Sequence, residues 1–379
     1  MVSSLLNAEQ VFHKERPQKP SLMVIAEGGA ITSHESNGVC TPDRALVAQL
    51  CRRVPKGVRE LFAKNMLLIF PSEGLQTGKD VSLERIAACV ARVRTQLEQH
   101  SSVIVLADFR KISHYAMGMM LGVSPEELGY TDDSAKQSGR KQSIILAASS
   151  HGTGTDSVGV QTTVDDAFTL SADPLMDGRA GVLFGDCLYA LSELERKDRS
   201  EELQSGFLPI ADKNDSHSWQ VTPLHEHHIP IGDGSPFTLD PRVQTFVLDQ
   251  SVDRAEDISY RIYEGKLGKE RLQGLVVKSH DFQHPLVSTP LDILQSLDRA
   301  GVPTVLLGRK EGRPIANDQD FNHMIDGRHV PSGQAKVMLA HWLQRARDGG
   351  LEDVVDIVAF LRQQFAQFPF LSEDSSPLP

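Results

Sequence analysis

The feature that most constrains the fold is an alternation of short apolar runs with amphipathic stretches. Each run has the length of a buried strand, and the runs of the first half are "SLMVIA" (21–26), "NMLLIF" (65–70), "SSVIVLA" (101–107), "QSIILAA" (142–148) and "AGVLFG" (180–185). Strands that are apolar along their whole length are typical of a parallel sheet covered on both faces. Between them lie helical patterns such as "SLERIAACVARVRTQLEQH" (82–100), in which apolar residues recur three and four positions apart. The alternation predicts an α/β fold with a mostly parallel sheet.

A stretch of different composition interrupts this rhythm. Residues 204–241 are rich in Pro, Gly, Asp and His and have little apolar periodicity, which favours a linker. The rhythm restarts with "VQTFVLD" (243–249), "LQGLVVK" (272–278) and "VPTVLLG" (302–308), and a helical pair spans Ser332–Phe368. We therefore predict an N-terminal tail at 1–20, a larger N-terminal α/β domain at 21–212, a linker at 213–241, a smaller C-terminal α/β domain at 242–368 and a disordered tail at 369–379.

Composition excludes several classes of function. The chain of 379 residues has a formal net charge of −11 and no sustained Lys/Arg block, so it lacks the electrostatic footprint of a nucleic-acid or anionic-membrane binder. No segment approaches the roughly 20 apolar residues that span a bilayer. The N-terminal segment lacks the apolar core of a signal peptide, and the four cysteines have no C-x-x-C spacing, which indicates reduced thiols in the cytoplasm. A small molecule is the expected partner, and no cofactor is expected.

One histidine cluster invites interpretation as a metal site. The segment "HEHH" at His225–His228 lies in the linker and lacks the i, i+4 helical spacing of a zinc-hydrolase motif. No fourth ligand lies near it in the sequence, so we interpret it as a solvated linker and predict no metal site. His280 and His284, in "SHDFQH", either line a pocket or belong to a surface loop.

The loop after the first apolar run is the first candidate for a binding site, because ligands of parallel α/β sheets bind at the carboxyl ends of the strands. This loop, "EGGAITS" (27–33), contains Gly28 and Gly29. Glycine permits positive φ angles and the close approach of a ligand, but a tight turn has the same requirement. The glycine pair alone leaves both interpretations open.

The segment "VIAEGGAI" (24–31) resembles the first strand and glycine loop, "ATGGTI", of the bacterial L-asparaginase and glutaminase family. Other segments follow in the family's order: "SNGVCTPDRALVAQL" at its mobile flap, "FPSEG" at its substrate loop, "SSVIVLADFRKISHYAMGMML" at the strand and helix that carry "HGTDTMEET", and "LQGLVVKSHDFQH" at "DGIVIAGTGNGN". The resemblance spans residues 21–368. It implies an asparaginase-like fold, with a larger N-terminal parallel-sheet domain and a smaller C-terminal α/β domain, and a homodimer or homotetramer with active sites at subunit boundaries.

The family's catalytic groups are mostly replaced in this chain. Ala30 stands at the position of the nucleophilic threonine, and Val39 or Cys40 at that of the flap tyrosine. Asp108 and Phe109 replace the second threonine and the aspartate. The position of the lysine corresponds loosely to Lys197. An activated nucleophile needs a hydroxyl or thiol, a base within hydrogen-bond reach and a group that orients the base. Ordinary asparaginase activity is therefore not expected.

The substituted positions also add charge. Arg110 and Lys111 turn a hydroxyl-bearing loop into a basic one. A guanidinium group binds a carboxylate or phosphate in a bidentate manner, which favours an acidic substrate. Alternatively, both cations form ion pairs with neighbouring acids such as Asp108 or Glu73.

The loop after the fourth apolar run, "SSHGTGTDS", is rich in hydroxyl groups. Ser150 and His151 suggest a nucleophile and base, but adjacent residues of a strand point to opposite faces, which disfavours their direct contact. Capping of turns is the alternative role for such hydroxyl groups.

Two functional hypotheses from different classes remain. The first is a divergent enzyme, a hydrolase or acyl-transfer enzyme that acts on a small amide- or carboxylate-bearing metabolite through a rebuilt active site. The second is a catalytically inactive protein that binds a small acidic ligand or a protein partner. We favour the enzyme, with Thr32, Ser72 and Ser150 as candidate catalytic hydroxyls. The candidate substrate-binding residues are Gly29, Ala30, Glu73, Asp108, Phe109, Arg110, Lys111, Ser149 and His151.

Overall fold

The structure is a computed structural model. The residues that it describes are 21–36, 39–62, 66–72, 74–75, 82–130, 142–153, 156–192, 194–196, 203–205, 209–214, 218–223, 229–248, 272–279, 295, 298–299, 301–307, 321–327 and 330–367.

The predicted apolar runs of the first half form one parallel sheet. Its strands are β1 (Leu22–Ala26), β4 (Met66–Ile69), β5 (Ser102–Leu106), β6 (Ser143–Ala147) and β7 (Ala180–Phe184). They pair in the order β4-β1-β5-β6-β7, and β1, β5 and β6 are buried at every position. The sheet then continues through antiparallel strands β8 (Cys187–Ala190), β11 (Ala211–Lys213) and β12 (Trp219–Val221). The prediction of a mostly parallel α/β fold is confirmed.

Helices cover both faces of this sheet. They are α1 (Arg44–Arg53), α2 (Lys56–Leu61), α3 (Leu83–Leu97), α4 (Ile112–Gly122) and α5 (Ser157–Ala172). Successive residues of a strand point to opposite faces, so β1 contributes to two hydrophobic cores. Met23 and Ile25 pack with α3 and α4, whereas Leu22 and Val24 pack with α1 and α5.

Two hairpin-like pairs lie outside this sheet. Strands β2 (Ser33–Ser36) and β3 (Val39–Pro42) pair antiparallel directly after the glycine loop. Strands β9 (Leu194–Arg196) and β10 (Leu203–Ser205) form the second antiparallel pair. We call the β2–β3 pair the flap.

A second, smaller sheet is parallel throughout. Its strands, in sheet order, are β13 (Val243–Leu248), β14 (Gly274–Ser279), β15 (Thr304–Leu306) and β16 (Met324–Asp326). Helix α6 (Ser332–Asp348) packs on β13, β14 and α4, and helix α7 (Val354–Gln367) packs on β16 and α6. Helix α4 is buried from Tyr115 to Gly122 because α3, α6 and the first sheet surround it.

The stretch predicted as a linker contains regular structure. Strands β11 and β12 lie within 204–241 and extend the edge of the first sheet. Further on, Ile231 and Gly232 donate backbone hydrogen bonds to the carbonyls of Met120 and Val123 at 2.8 and 2.9 Å. Strands this short are missed because three residues carry no measurable periodicity. The domain boundaries themselves stay predictions. None of the described helices is both long and apolar enough to cross a membrane.

Candidate functional site

The glycine loop packs directly against the loop that follows β5. Gly29 has φ 85°, a conformation that residues with a Cβ rarely adopt. A Cβ at this position would overlap the Asp108 Cα and lie 2.7 Å from the Asp108 Cβ. Glycine is therefore needed because two loops at the carboxyl edge of the sheet approach each other closely.

The hydroxyl groups of the glycine loop hold its own backbone. A short 3₁₀ helix covers Ala30–Thr32, and the Thr32 side chain is fully buried. The Thr32 hydroxyl donates to the carbonyl of Gly29 at 3.1 Å, and the Ser33 hydroxyl donates to the same oxygen at 2.7 Å. Thr32 must therefore give up this bond before its hydroxyl can attack a substrate. Its catalytic role stays a prediction.

The loop after β5 exposes one of its four predicted site residues. The buried Asp108 carboxylate accepts the backbone N–H of Arg110 at 2.7 Å and so caps the short helix that follows. Phe109 is buried, and its ring stacks on Phe184 with ring centroids 4.4 Å apart. Lys111 is half-buried, whereas Arg110 is exposed to solvent. Arg110 is thus the residue of this loop that is best placed to meet a charged ligand.

The flap carries Cys40 to the same loop. Cys40 pairs with Glu35 across the flap. Its thiol pKa is raised by burial and by the charges of Glu35 and Asp108, against the opposing effect of Arg110. The charges of Asp108 and Arg110 act on Cys40, so the flap lies in the electrostatic field of the loop after β5. A thiol with a raised pKa stays protonated at neutral pH and is a weak nucleophile.

The loop after β6 closes the site from the other side. The hydroxyl of Ser149, which is buried, donates to the carbonyl of His151 at 2.9 Å and accepts its backbone N–H at 3.3 Å. The next N–H, that of Gly152, donates to the Glu35 carboxylate at 2.9 Å and joins this loop to the flap. Ser150 and His151 are half-buried in this turn. Ser149 therefore caps the turn, as the alternative interpretation of this hydroxyl-rich loop held.

Beside these residues a hydroxyl group contacts an imidazole, and the imidazole contacts a carboxylate. The Thr153 Oγ1 is 3.1 Å from His34 Nδ1, and His34 Nε2 is 3.2 Å from Asp43 Oδ2. The Thr153 hydroxyl also donates to the carbonyl of Ser33 at 3.3 Å, so its single proton is divided between this oxygen and His34 Nδ1. The other Asp43 oxygen accepts the backbone N–H of Ala45 at 2.7 Å, which holds the carboxylate at the start of α1. A neutral imidazole with its proton on Nε2 accounts for both contacts, and this tautomer is inferred from them. We call Thr153, His34 and Asp43 the hydroxyl relay.

Sequence reasoning did not find this relay. Its members come from the flap, from the residue before α1 and from the loop after β6, and 119 positions separate Thr153 from His34. The one available signal was the hydroxyl-rich segment "SSHGTGTDS".

A buried ion cluster lies below the glycine loop. Glu27 follows β1 and is fully buried, and its carboxylate contacts Arg85 Nε at 3.0 Å and Arg92 Nη2 at 2.6 Å. Arg85 also donates to the carbonyls of Glu27 and Gly74, at 2.5 and 2.9 Å. Arg85 therefore joins the loop after β1 to the loop after β4. The sequence offered no motif for this cluster.

The remaining candidates are less well placed or lie outside the described residues. Ser72 is exposed on the loop after β4. Within the described ranges, no three His, Cys, Asp or Glu side chains converge closely enough to hold a metal ion. The candidates that fall outside the described residues are Glu73, Lys197, His225–His228, His280 and His284.

Two solved structures match nearly the whole chain. A probable cytoplasmic L-asparaginase from Campylobacter jejuni aligns with a TM-score of 0.66 at 12% sequence identity, over 90% of this chain and 99% of that one. L-asparaginase I from Vibrio cholerae aligns with a TM-score of 0.65 at 13% identity, over 91% and 97% of the two chains. No protein-family model matches the sequence, and neither does any curated protein. The fold that the resemblance implied is confirmed: this chain is an asparaginase-fold protein.

Proposed function

We propose that this chain is a divergent amide hydrolase or acyl-transfer enzyme that acts on a small amide- or carboxylate-bearing metabolite. The observation that carries the proposal is the hydroxyl relay. In it, Thr153 Oγ1 lies 3.1 Å from His34 Nδ1, and His34 Nε2 lies 3.2 Å from Asp43 Oδ2. Such an arrangement is recognised by its geometry and by the role of each group rather than by sequence position. It supplies an attacking oxygen in a chain whose glycine loop has Ala30 instead of a threonine.

The relay performs acyl transfer in two steps. His34 Nδ1 accepts the proton of Thr153 as the hydroxyl oxygen attacks the substrate carbonyl, and the imidazolium then protonates the leaving nitrogen. The C–N bond breaks, and an ester of Thr153 forms. Water or another acceptor attacks this ester in the second step and releases Thr153, with His34 again as the base. Asp43 holds the Nε2–H tautomer and stabilises the imidazolium.

The neighbouring charge favours a substrate that carries a carboxylate. Arg110 is exposed on the loop that touches the glycine loop. A guanidinium binds a carboxylate through two parallel hydrogen bonds, which fixes the orientation of the substrate as well as its position. We also propose a cytoplasmic location, as the name of the Campylobacter relative states for that protein.

A second function, binding without turnover, is favoured by a separate observation. The hydroxyls of both Thr32 and Ser33 are bound to the carbonyl of Gly29, so the glycine loop presents no ready nucleophile. In this alternative, Arg110 holds a small acidic ligand, and the relay only fastens the flap to the loop after β6.

Turnover measurements separate the two functions. Release of ammonia or amine is measured over a panel of small amides that carry a carboxylate, with the native chain and with Thr153→Val, Thr153→Ser and His34→Gln. We expect Thr153→Val and His34→Gln to lower kcat by at least about 10²-fold, the usual minimum contribution of a general base, whereas Thr153→Ser retains activity. Thr95→Val serves as the matched control, because Thr95 is exposed on helix α3 and its hydroxyl donates to the carbonyl of Ala91 in the same helix.

Three outcomes decide the question. An acyl adduct on Thr153 in the mass spectrum of quenched reactions supports the mechanism directly. Full activity of Thr153→Val contradicts the relay, and loss of activity in Ser150→Ala or Thr32→Ala then identifies the hydroxyl. Absence of turnover across the panel, together with saturable binding of carboxylates that Arg110→Ala abolishes, establishes the binding protein instead.

A further inference from the structure

The loop after β6 is fastened to the flap at two points, one on each side of His34. The backbone N–H of Thr153 donates to the carbonyl of Ser33 at 3.2 Å. The backbone N–H of Gly152 donates to the Glu35 carboxylate at 2.9 Å. Ser33 and Glu35 flank His34 on strand β2, so the two bonds bracket the imidazole of the hydroxyl relay. We call these two bonds the clasp.

Gly152 allows the loop to come this close to the strand. A Cβ on Gly152 would lie 2.8 Å from the Glu35 Cβ, 3.0 Å from the Ser33 carbonyl oxygen and 3.2 Å from the Glu35 backbone nitrogen. The first of these is well below the roughly 3.5–4.0 Å at which carbon atoms pack. A larger residue would therefore push the loop and the strand apart. The clasp depends on a glycine for its close approach and on a carboxylate for one of its bonds.

The two ends of the clasp differ in how firmly the flap itself is held. Ser33 is fully buried, and its hydroxyl donates to the carbonyl of Gly29 at 2.7 Å. In contrast, the His34 side chain is 58% exposed, and Glu35 is half-buried. Packing therefore fixes the start of β2. Beyond Ser33 the strand is held by its pairing with β3 and by the bond between Glu35 and the loop after β6.

The Thr153 hydroxyl has two acceptors, and only one of them is useful to the relay. Its oxygen lies 3.3 Å from the Ser33 carbonyl oxygen and 3.1 Å from His34 Nδ1. A base can take the proton only when the hydroxyl points at it. The Thr153 N–H ties the loop to Ser33, which is the side of the competing carbonyl. Glu35 lies beyond His34 in the strand, so its bond to Gly152 holds the loop on the side of the imidazole.

We propose that Glu35 is a positioning residue of the relay, whose carboxylate acts through the Gly152 N–H to keep the Thr153 hydroxyl within hydrogen-bond reach of His34 Nδ1. In this role Glu35 takes up no proton and touches no reacting atom. A bond from an N–H to a carboxylate is about twice as strong as a bond between neutral groups, which suits a contact that must hold an exposed strand. The inference rests on the proposed function, because the position of Thr153 affects catalysis only if its hydroxyl attacks the substrate.

Kinetics of three variants of the full chain separate the hydrogen bond from the charge. We expect Glu35→Ala to lower kcat by about 10- to 100-fold with little change in KM, because a misplacement of about 1 Å costs up to about 10²-fold. Glu35→Gln keeps an oxygen that accepts the Gly152 N–H, so it is expected to retain most of the activity. Glu60→Ala is the matched control, because Glu60 forms an exposed pair with Lys56 on helix α2.

A steric variant breaks the clasp and leaves the carboxylate in place. Gly152→Ala is expected to lower kcat as Glu35→Ala does, since its Cβ forces the loop away from β2. The double variant is expected to be no worse than the more impaired single variant, because both changes break the same clasp. Gly57→Ala is the matched control, because a Cβ on Gly57 meets no atom within 4 Å.

A spectroscopic readout needs no turnover. The ring nitrogen signals of His34, assigned by their loss in His34→Gln, report whether Nδ1 accepts a hydrogen bond. We expect Glu35→Ala to move the Nδ1 signal to its value in Thr153→Val, and Glu35→Gln to leave it near the native value. Circular dichroism shows whether each variant is folded.

The outcomes distinguish failure of this inference from failure of the proposed function. The inference is overturned if Glu35→Ala keeps the native His34 signals, or if Glu35→Gln is impaired as much as Glu35→Ala. A native chain that turns over no amide of the panel, but whose His34 signals change in Glu35→Ala as expected, contradicts the proposed enzyme and still supports the positioning of Thr153 by Glu35.

Discussion

Replacement of Arg85 by methionine tests whether the buried ion cluster stabilises the candidate site. The Arg85 side chain is 3% exposed and that of Glu27 is 0% exposed. Among the contacts that Arg85→Met removes are the hydrogen bonds to Glu27 Oε2 at 3.0 Å, Glu27 O at 2.5 Å and Gly74 O at 2.9 Å. Breaking a buried pair by removing one partner costs about 3–5 kcal/mol, because the other charge stays buried and poorly compensated. We expect Arg85→Met to lower the free energy of unfolding by roughly 3 kcal/mol, the low end of this range, because Arg92 still contacts Glu27 at 2.6 Å.

The assay is urea unfolding at pH 7, followed by circular dichroism and tryptophan fluorescence. The two tryptophans report on separate regions, because Trp219 lies on β12 of the first sheet and Trp342 lies on α6. Lys56→Met is the matched control. Lys56 forms an exposed pair with Glu60 at 3.6 Å, and the loss of such a pair changes the free energy of unfolding by about 0.5 kcal/mol or less. A loss below about 1 kcal/mol for Arg85→Met, within the range of one ordinary hydrogen bond, would refute the reasoning.

Two further predictions concern pH and assembly. His341 is 4% exposed, its ring stacks on Phe237, and its pKa is lowered to about 4, first by burial and then by Arg345. In the unfolded chain the His341 imidazole takes up a proton near pH 6.5, whereas in the folded chain it stays neutral until about pH 4. The contribution of His341 to the free energy of unfolding is therefore complete above pH 6.5. It falls by roughly 3 kcal/mol in total as the pH drops to about 4. His341→Phe is expected to flatten this part of the stability curve, and an unchanged slope in urea titrations contradicts the assignment. Sedimentation is expected to show a homodimer or homotetramer, and a monomer at micromolar concentration contradicts that prediction.

Much of the fold was predictable because its signals are local. The runs "SLMVIA", "SSVIVLA" and "QSIILAA" are apolar throughout because β1, β5 and β6 are covered on both faces, and this pattern is visible without any knowledge of their neighbours. The edge strands were missed for the converse reason. Strands β11 and β12 have three residues each, and they are specified by the pairing of β11 with β8 and of β12 with β11 rather than by their own composition.

The candidate site was only partly predictable. The resemblance located the loops after β1, β5 and β6, and it implies that Ala30 stands at the position of the family's nucleophile. It did not show that the Thr32 hydroxyl is bound to Gly29 O, or that Phe109 stacks on Phe184. Thr32 and Ser149 have the chemical type of a site residue, but in the structure their hydroxyl groups bond to the backbone of their own loops.

By itself, the sequence determined the order of the main strands and helices and the parallel sheets, since both depend on residues close together in the chain. Tertiary structure alone decided which side chains meet. The hydroxyl relay joins Thr153 to His34 across 119 positions, and the buried cluster joins Arg85 to Glu27 across 58. Such contacts form only when burial of the two cores brings distant segments together, because no local pattern specifies which polar groups the packed strands and helices place side by side.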